Sequence, residues 1–327
     1  EMRRFFLTII LFIAGGVVLY LPAVWAAGHA KVQSNVKYIP ANYGHTDMRL
    51  YEADRLCFGK GPDMLFVGSS HCYRTFDTRM YDSVGYRSFN LGSSNQTPKQ
   101  TYALLSRYLR YWNPDLVVIE VHPDIMENSG DESAVDIVSN TRIDAPVLDM
   151  ALSQKSLRVF NTMCCSFVDR ALHHGTIPIG EKTIMVNTQS GDTTVFVDFK
   201  YIDGGFVEVD SYCYKPIPLK SKTIRINDDQ LRQLGRCLQL LDNYNIPYLL
   251  IEVPSTRSRF HSYTNHKDFE KKIRSLVRHD TEYIILNNNQ ELMSQLDDTT
   301  CFFDDDHLNQ KGAHILNKYL IQCILSD

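Results

Sequence analysis

Asp63-Met64-Leu65-Phe66-Val67-Gly68-Ser69-Ser70-His71 is the stretch on which the fold turns. Its four apolar residues are too few for a core helix and lack the polar alternation of a half-exposed strand. They read as a short strand buried on both faces. Gly68 closes the run, and two hydroxyls and an imidazole follow it. Working outward, Tyr86 to Leu91 is a second short strand ending at Gly92. Thr97-Pro98 opens a helix, with Thr as N-cap and Pro at the first helical position. Tyr102, Leu105, Leu109 and Trp112 continue it at helical spacing until Asn113-Pro114-Asp115 breaks it. Leu116 to Val121 is a third strand, apolar except for Glu120. Strand, helix and strand within about 35 residues is the rhythm of a parallel α/β sheet.

That rhythm stops over residues 126–222, which hold a helical stretch near 155–173 and a β-rich stretch near 182–210 with a hairpin turn at Asp203-Gly204-Gly205. It resumes with Leu231, Leu234, Leu238 and Leu241 on a helix and a strand from Tyr248 to Val253. A helix over 266–278 follows, with Phe269, Ile273 and Leu276 inward. A strand from Glu282 to Leu286 and a last helix over 310–325 close the chain. The expected organisation is one α/β domain over 61–327, interrupted by a single large insertion over 126–222 and preceded by a polar stalk or lead-in over 31–60.

Residues 5–30 contain no Lys, Arg, Asp or Glu, and Arg3 and Arg4 precede them. About 20 apolar residues cross a bilayer core. The expectation is an N-terminal transmembrane helix through residues 5–26, with the basic flank cytoplasmic and the remainder outside the cytoplasm. The rival reading is a cleaved signal peptide, because Ala26-Ala27-Gly28-His29-Ala30 offers small residues to a peptidase. The bulk composition fits a globular protein: 44% hydrophobic and 22% charged residues exclude a mostly disordered chain. With 34 Lys+Arg against 38 Asp+Glu the net charge is −4, so a nucleic-acid partner is not expected. A mean hydropathy of −0.24 excludes a polytopic membrane protein. Eight cysteines, at 57, 72, 164, 165, 213, 237, 301 and 323, form no C-x-x-C pair. Thiolate zinc and thioredoxin chemistry are therefore unsupported, and no metal or cofactor is expected. One or two disulfides remain open, and Cys164-Cys165 reads as a core pair on a helix.

Ligands of an open parallel sheet bind beyond the carboxyl ends of its strands. Three segments bring reactive residues there: Gly68-Ser69-Ser70-His71, Asn90-Leu91-Gly92-Ser93-Ser94-Asn95, and Asp304-Asp305-Asp306-His307-Leu308-Asn309. A hydroxyl nucleophile needs a base, and the base needs an orienting carboxylate. A serine after the first strand and a histidine before the last helix could meet across the mouth of the sheet, with an aspartate three residues earlier reaching the other ring nitrogen. His71 and Cys72 read as structural neighbours, and the acidic run alternatively as a helix cap or calcium-like loop. Glu120 and Glu252 read as structural hydrogen-bonding groups or a catalytic pair. Arg74 is either an anion-binding residue or a surface arginine. Aromatic residues of the insertion either stack on sugar or pack.

These blocks resemble the SGNH (GDSL-type) hydrolases, which carry Gly-Asp-Ser-Leu after the first strand, a glycine after the second, an Asn after the third and a late Asp-x-x-His. Gly68-Ser69-Ser70-His71 matches the first with Ser for Asp and His for Leu, Phe89-Asn90-Leu91-Gly92 the second, and Asp304-x-x-His307 the last. The third departs, with His122-Pro123-Asp124 in place of Gly-x-Asn. The resemblance implies a three-layer α/β fold and Ser70, His307 and Asp304 as catalytic residues. It implies an oxyanion hole from Ser70 and Gly92, with Asn95 substituting for the missing Asn; Arg74 and His122 are further candidates for substrate contact. With the membrane helix, it is similar to envelope polysaccharide O-acetylation and D-alanyl transfer proteins. That implies acyl esters of envelope carbohydrate as substrate, or an accessory role beside a multispanning membrane O-acyltransferase.

Overall fold

The computed structural model describes residues 1–30, 35–190, 193–210, 214–279 and 282–326. Its strands are β1 (Met64–Val67), β2 (Ser88–Asn90), β3 (Leu116–Glu120), β4 (Thr183–Ser190), β5 (Thr193–Ile202), β6 (Phe206–Val209), β7 (Tyr248–Glu252) and β8 (Tyr283–Ile285). Five of them form one parallel sheet in the order β2-β1-β3-β7-β8, and β4, β5 and β6 form a separate antiparallel sheet. The chain leaves β1 for one side and then returns to its other side. That reversal opens a crevice at the carboxyl ends of β1 and β3.

The main strands are apolar on both faces because helices cover both. Leu65, Val67, Val117, Ile119 and Leu250 join one core, while Met64, Phe66, Val118 and Ile251 join the other, which is the two-residue period of a strand. The first core is completed by helices that include Pro98–Tyr108, Asp131–Asn140, Ala145–Ser153 and Asp228–Asn243. The second takes Ser70–Thr75 and the C-terminal Gln310–Ser326. The molecule is therefore an α/β fold built on a parallel sheet.

Two expectations about organisation need correction. The stalk does not exist as such from residue 36 onward. The helix Thr46–Leu56 puts Leu50 and Ala53 into the main core, and buries Arg49, whose guanidinium lies 4.6 Å from the Tyr73 ring centroid. Polar composition misled because Asp47, Arg49 and Thr46 are buried and bond within the fold instead of facing solvent: Thr46 donates to Asp136 at 2.6 Å and Arg49 to the Gly205 carbonyl at 2.9 Å. The insertion over 126–222, expected as one lobe near the carboxyl ends of the strands, is divided. Its helices over 131–172 belong to the layer on one face of the sheet, while its antiparallel part and Tyr214 reach the carboxyl ends, where the Asn90 N–H donates to the Gly204 carbonyl at 2.7 Å and the Tyr214 hydroxyl donates to Asp305.

The N-terminal helix Met2–His29 is long and apolar enough to span a membrane and is almost wholly exposed along its first half. The seven described cysteines are free, with Cys164 and Cys165 on the helix Leu157–Leu172; Cys213 lies outside the described residues. The insertion's Phe199, Tyr201, Phe206 and Tyr214 are buried, so these aromatic rings pack instead of presenting faces to solvent.

Candidate active site

The turn after β1 is shaped by Glu120 at the end of the neighbouring strand. Gly68 has φ +154°, and a Cβ there would sit 2.6 Å from the Glu120 side chain. The Ser69 N–H and hydroxyl both donate to Glu120 Oε2, at 2.7 and 2.8 Å. Burial pushes the Glu120 carboxyl up, while nearby His71 pulls it down. This clamp makes Ser69 the N-cap of the helix Ser70–Thr75 and sets Ser70 at its first position.

Ser70 Oγ lies 2.8 Å from His307 Nε2. His307 Nδ1 lies 2.9 Å from Asp304 Oδ2 and 3.0 Å from Asp306 Oδ1. The His307 N–H also donates to Asp304 Oδ1 at 2.8 Å, and the Phe303 N–H donates to the His307 carbonyl at 2.8 Å, so residues 303–307 form a closed turn holding the ring. Burial opposes an imidazolium here, but the charges of Asp304 and Asp306 outweigh it and raise His307 to about 10. Burial would raise Asp306, yet His307 beside it holds that carboxyl well below the usual range. The two carboxylates thus favour the doubly protonated ring, with Nδ1 toward carboxylate and Nε2 facing the serine.

His71 lies between two other imidazoles. Its ring centroid is 4.2 Å from His307 and 3.9 Å from His122, with planes within 5° and 10° of parallel. His71 Nδ1 is 2.9 Å from Ser69 Oγ, and because that hydroxyl donates to Glu120, His71 is the donor. Its Nε2 makes no hydrogen bond among the described residues and lies 3.7 Å from Asp306 Oδ2. His71, Asp306 and His307, and His122, Asp124 and Asp306, bring ligand-type atoms within 4.8 Å of one another. Lone pairs of stacked rings lie in parallel planes, however, so neighbouring imidazoles of this stack cannot converge on one ion without unstacking.

Other candidates are placed as follows. Gly92 packs beside the nucleophile, where a Cβ would meet the Gly68 and Ser69 carbonyls at 3.0 Å, but its N–H donates to Asn90 Oδ1 at 3.1 Å. The Ser70 N–H is a first-turn donor, of the kind a helix leaves without an intrahelical partner. Asn95, at φ +52°, lines a cavity of about 340 Å³ with residues 128–132 and Arg158, a cavity whose walls include neither Ser70 nor His307. Arg74 is not a surface arginine: it is 6% exposed, with its guanidinium 4.3 Å from the Phe199 ring centroid and 5.2 Å from that of Phe303. His122 is buried and caps the helix Pro123–Glu127 through Nδ1. Burial, with His71 adding to it, holds His122 well below the ordinary histidine range. Glu252 is remote from this cluster in its bonding, held by His266 at 2.7 Å and the Tyr283 hydroxyl at 2.8 Å.

Two participants escaped the motif reading. Asp306 shares the His307 ring nitrogen with Asp304, and the acidic triplet offered a signal for it without indicating which carboxylates turn inward. Arg259 bonds Asp124 and lies 3.7 Å from Asp306; an arginine on a helix start far along the chain carries no such signal. No protein-family model matches this chain, and no curated protein matches it.

Proposed function

We propose that the protein is a serine-dependent acyl-ester hydrolase or acyltransferase of the SGNH type. The observation that carries this reading is the Ser70 Oγ–His307 Nε2 contact at 2.8 Å, with carboxylates on the opposite ring nitrogen. In this mechanism neutral His307 takes the Ser70 proton as Oγ attacks an ester carbonyl. The imidazolium so formed is stabilised by Asp304 and Asp306, then gives its proton to the departing alcohol. Water attacking the acyl-serine completes hydrolysis, and a sugar hydroxyl completes transfer. The Ser70 N–H is the first oxyanion donor, and Gly92 becomes a second if its N–H leaves Asn90.

The substrate class follows from the resemblance together with the N-terminal helix: acyl esters of envelope carbohydrate, handled on the extracytoplasmic side by a single-pass protein, beside a multispanning O-acyltransferase that supplies the acyl group. Hydrolysis of a soluble aryl acetate by purified protein tests the chemistry. Ser70→Ala should lower turnover by roughly 10³-fold or more with an unchanged melting temperature. Equal turnover by parent and variant would remove the reading.

A second reading, a catalytically silent accessory protein on the same fold, is favoured by the protonated state of His307 at neutral pH and by the occupied Gly92 N–H. Turnover that stays absent up to pH 10, with Ser70 and His307 intact, would select it.

A further inference from the structure

The last turns of the N-terminal helix lie along the helix Leu157–Leu172. The Tyr20 hydroxyl donates to Asn161 at 2.5 Å, Trp25 Nε1 donates to Asp169 at 3.2 Å, and His29 Nε2 lies 3.1 Å from Asp169. Val24 is buried with Cys165 and Val36. Partners climb together along both chains, so the two helices run parallel. Leu157 therefore stands level with the turn before Tyr20, inside the apolar half of the N-terminal helix.

Leu157, Phe160, Phe167 and Leu172 are 60%, 38%, 62% and 58% exposed. At 3.6 residues per turn Leu157, Phe160 and Phe167 fall on one face, together with exposed Ala171 and half-buried Cys164. The preceding helix Ala145–Ser153 adds Leu148 and Leu152, 41% and 52% exposed. Between Leu148 and Phe160 the charged residues are Asp149, Lys155 and Arg158, one acidic and two basic. An α-helix rises about 1.5 Å per residue and a bilayer core is about 30 Å thick, so with Arg4 at one boundary the other falls near residue 24. Phe160, level with Tyr20, is then about 6 Å inside that boundary and Leu157 about 10 Å inside. That is the depth at which amphipathic interfacial helices bury their apolar faces.

We propose that the hairpin tip carrying Leu148, Leu152, Leu157 and Phe160 is embedded in the acyl region of the bilayer that Met2–His29 crosses. The occupant of this face is lipid because the apolar stripe is continuous with the spanning helix and lies at the same depth. The inference rests on Met2–His29 being a span and is independent of the hydrolase chemistry. Its consequence is a second point of attachment, which stops the domain from rotating about a single helix and fixes the height and facing of Ser70 relative to the membrane.

The test places tryptophan reporters in the full chain, reconstituted into phosphatidylcholine–phosphatidylglycerol vesicles with and without acyl-brominated lipid. Native Trp25 and Trp112 give a background read from the parent protein. Phe12→Trp reports insertion of the N-terminal helix, Leu157→Trp and Phe160→Trp report the tip, and Val84→Trp, on the opposite side of the sheet, is the control. Brominated lipid should quench the added emission at 12, 157 and 160 and spare that at 84. Quenching at 12 alone overturns the embedded tip while leaving the span intact. Quenching at none of these sites overturns both. Emission at 157 and 160 that responds to protein-to-lipid ratio but not to bromine assigns the face to a second copy and also overturns the proposal.

Discussion

His307 carries two carboxylates on one ring nitrogen, and this sets the pH behaviour expected of the site. A base must be neutral to act, and a ring raised to about 10 is mostly protonated at pH 7. Ester turnover should therefore climb from pH 7 toward about 10. Asp306→Asn removes one negative neighbour, lowers the histidine, and should move the rising limb to lower pH, so that activity at pH 7 gains relative to activity at pH 9. A pH–rate series on the two proteins measures this, and coincident limbs would show that Asp306 does not act on the ring. The same raised value affects stability. The folded value lies above the unfolded value of about 6.5, so the ion-pair contribution is fully present below that pH and is lost as pH rises through about 10. Denaturant midpoints of parent and His307→Asn should converge across that window. At this scale the sequence was informative where spacing fixes geometry, as in Asp304-x-x-His307, where three residues make one turn. It was silent on Asp306 and Arg259, because which face of a turn a carboxylate takes depends on backbone angles that composition does not encode.

The elements were legible where apolar runs are short and bounded. The strands read at 63–67, 116–121 and 248–253 formed with shifts of a residue, while that read over Tyr86 to Leu91 shrank to Ser88–Asn90. The helix Thr46–Leu56 was missed because its buried residues mix polar Thr46, Asp47 and Arg49 with apolar Met48, Leu50 and Ala53, and the polar ones pair with groups distant in the chain, which no periodicity reveals. The β1 turn gives the sharpest element-scale expectation. Gly68→Ala forces a Cβ into Glu120, and should cost about 1–3 kcal/mol by chemical denaturation and disturb Ser70 as well. Leu65→Ala, in the same fully buried strand, should cost about 2–5 kcal/mol and leave the turn in place. Activity per folded molecule should therefore fall in Gly68→Ala and persist in Leu65→Ala. Equal specific activities would mean that Glu120 does not position the nucleophile.

Over the whole molecule, the N-terminal helix has two roles that the sequence presented as one hydrophobic run. Its first half is exposed and apolar, while residues 20–29 are built onto the domain through Asn161, Cys165 and Asp169. Removing residues 2–19 should release a soluble protein of nearly parental melting temperature. Removing residues 2–35 strips Val24, Trp25 and His29 from Cys165 and Asp169, and should lower the melting temperature clearly. Comparable melting of both truncations would show that the docked turns add nothing. The central claim, that Ser70 is a nucleophile activated by His307, is tested most directly by treating the full-length protein with a fluorophosphonate from pH 7 to 10 and mapping the adduct by peptide mass spectrometry. A single adduct on Ser70, forming faster as pH rises and lost in Ser70→Ala and His307→Asn, is the predicted result. Folded protein that stays unlabelled across that range, or that is labelled at another serine, would contradict it.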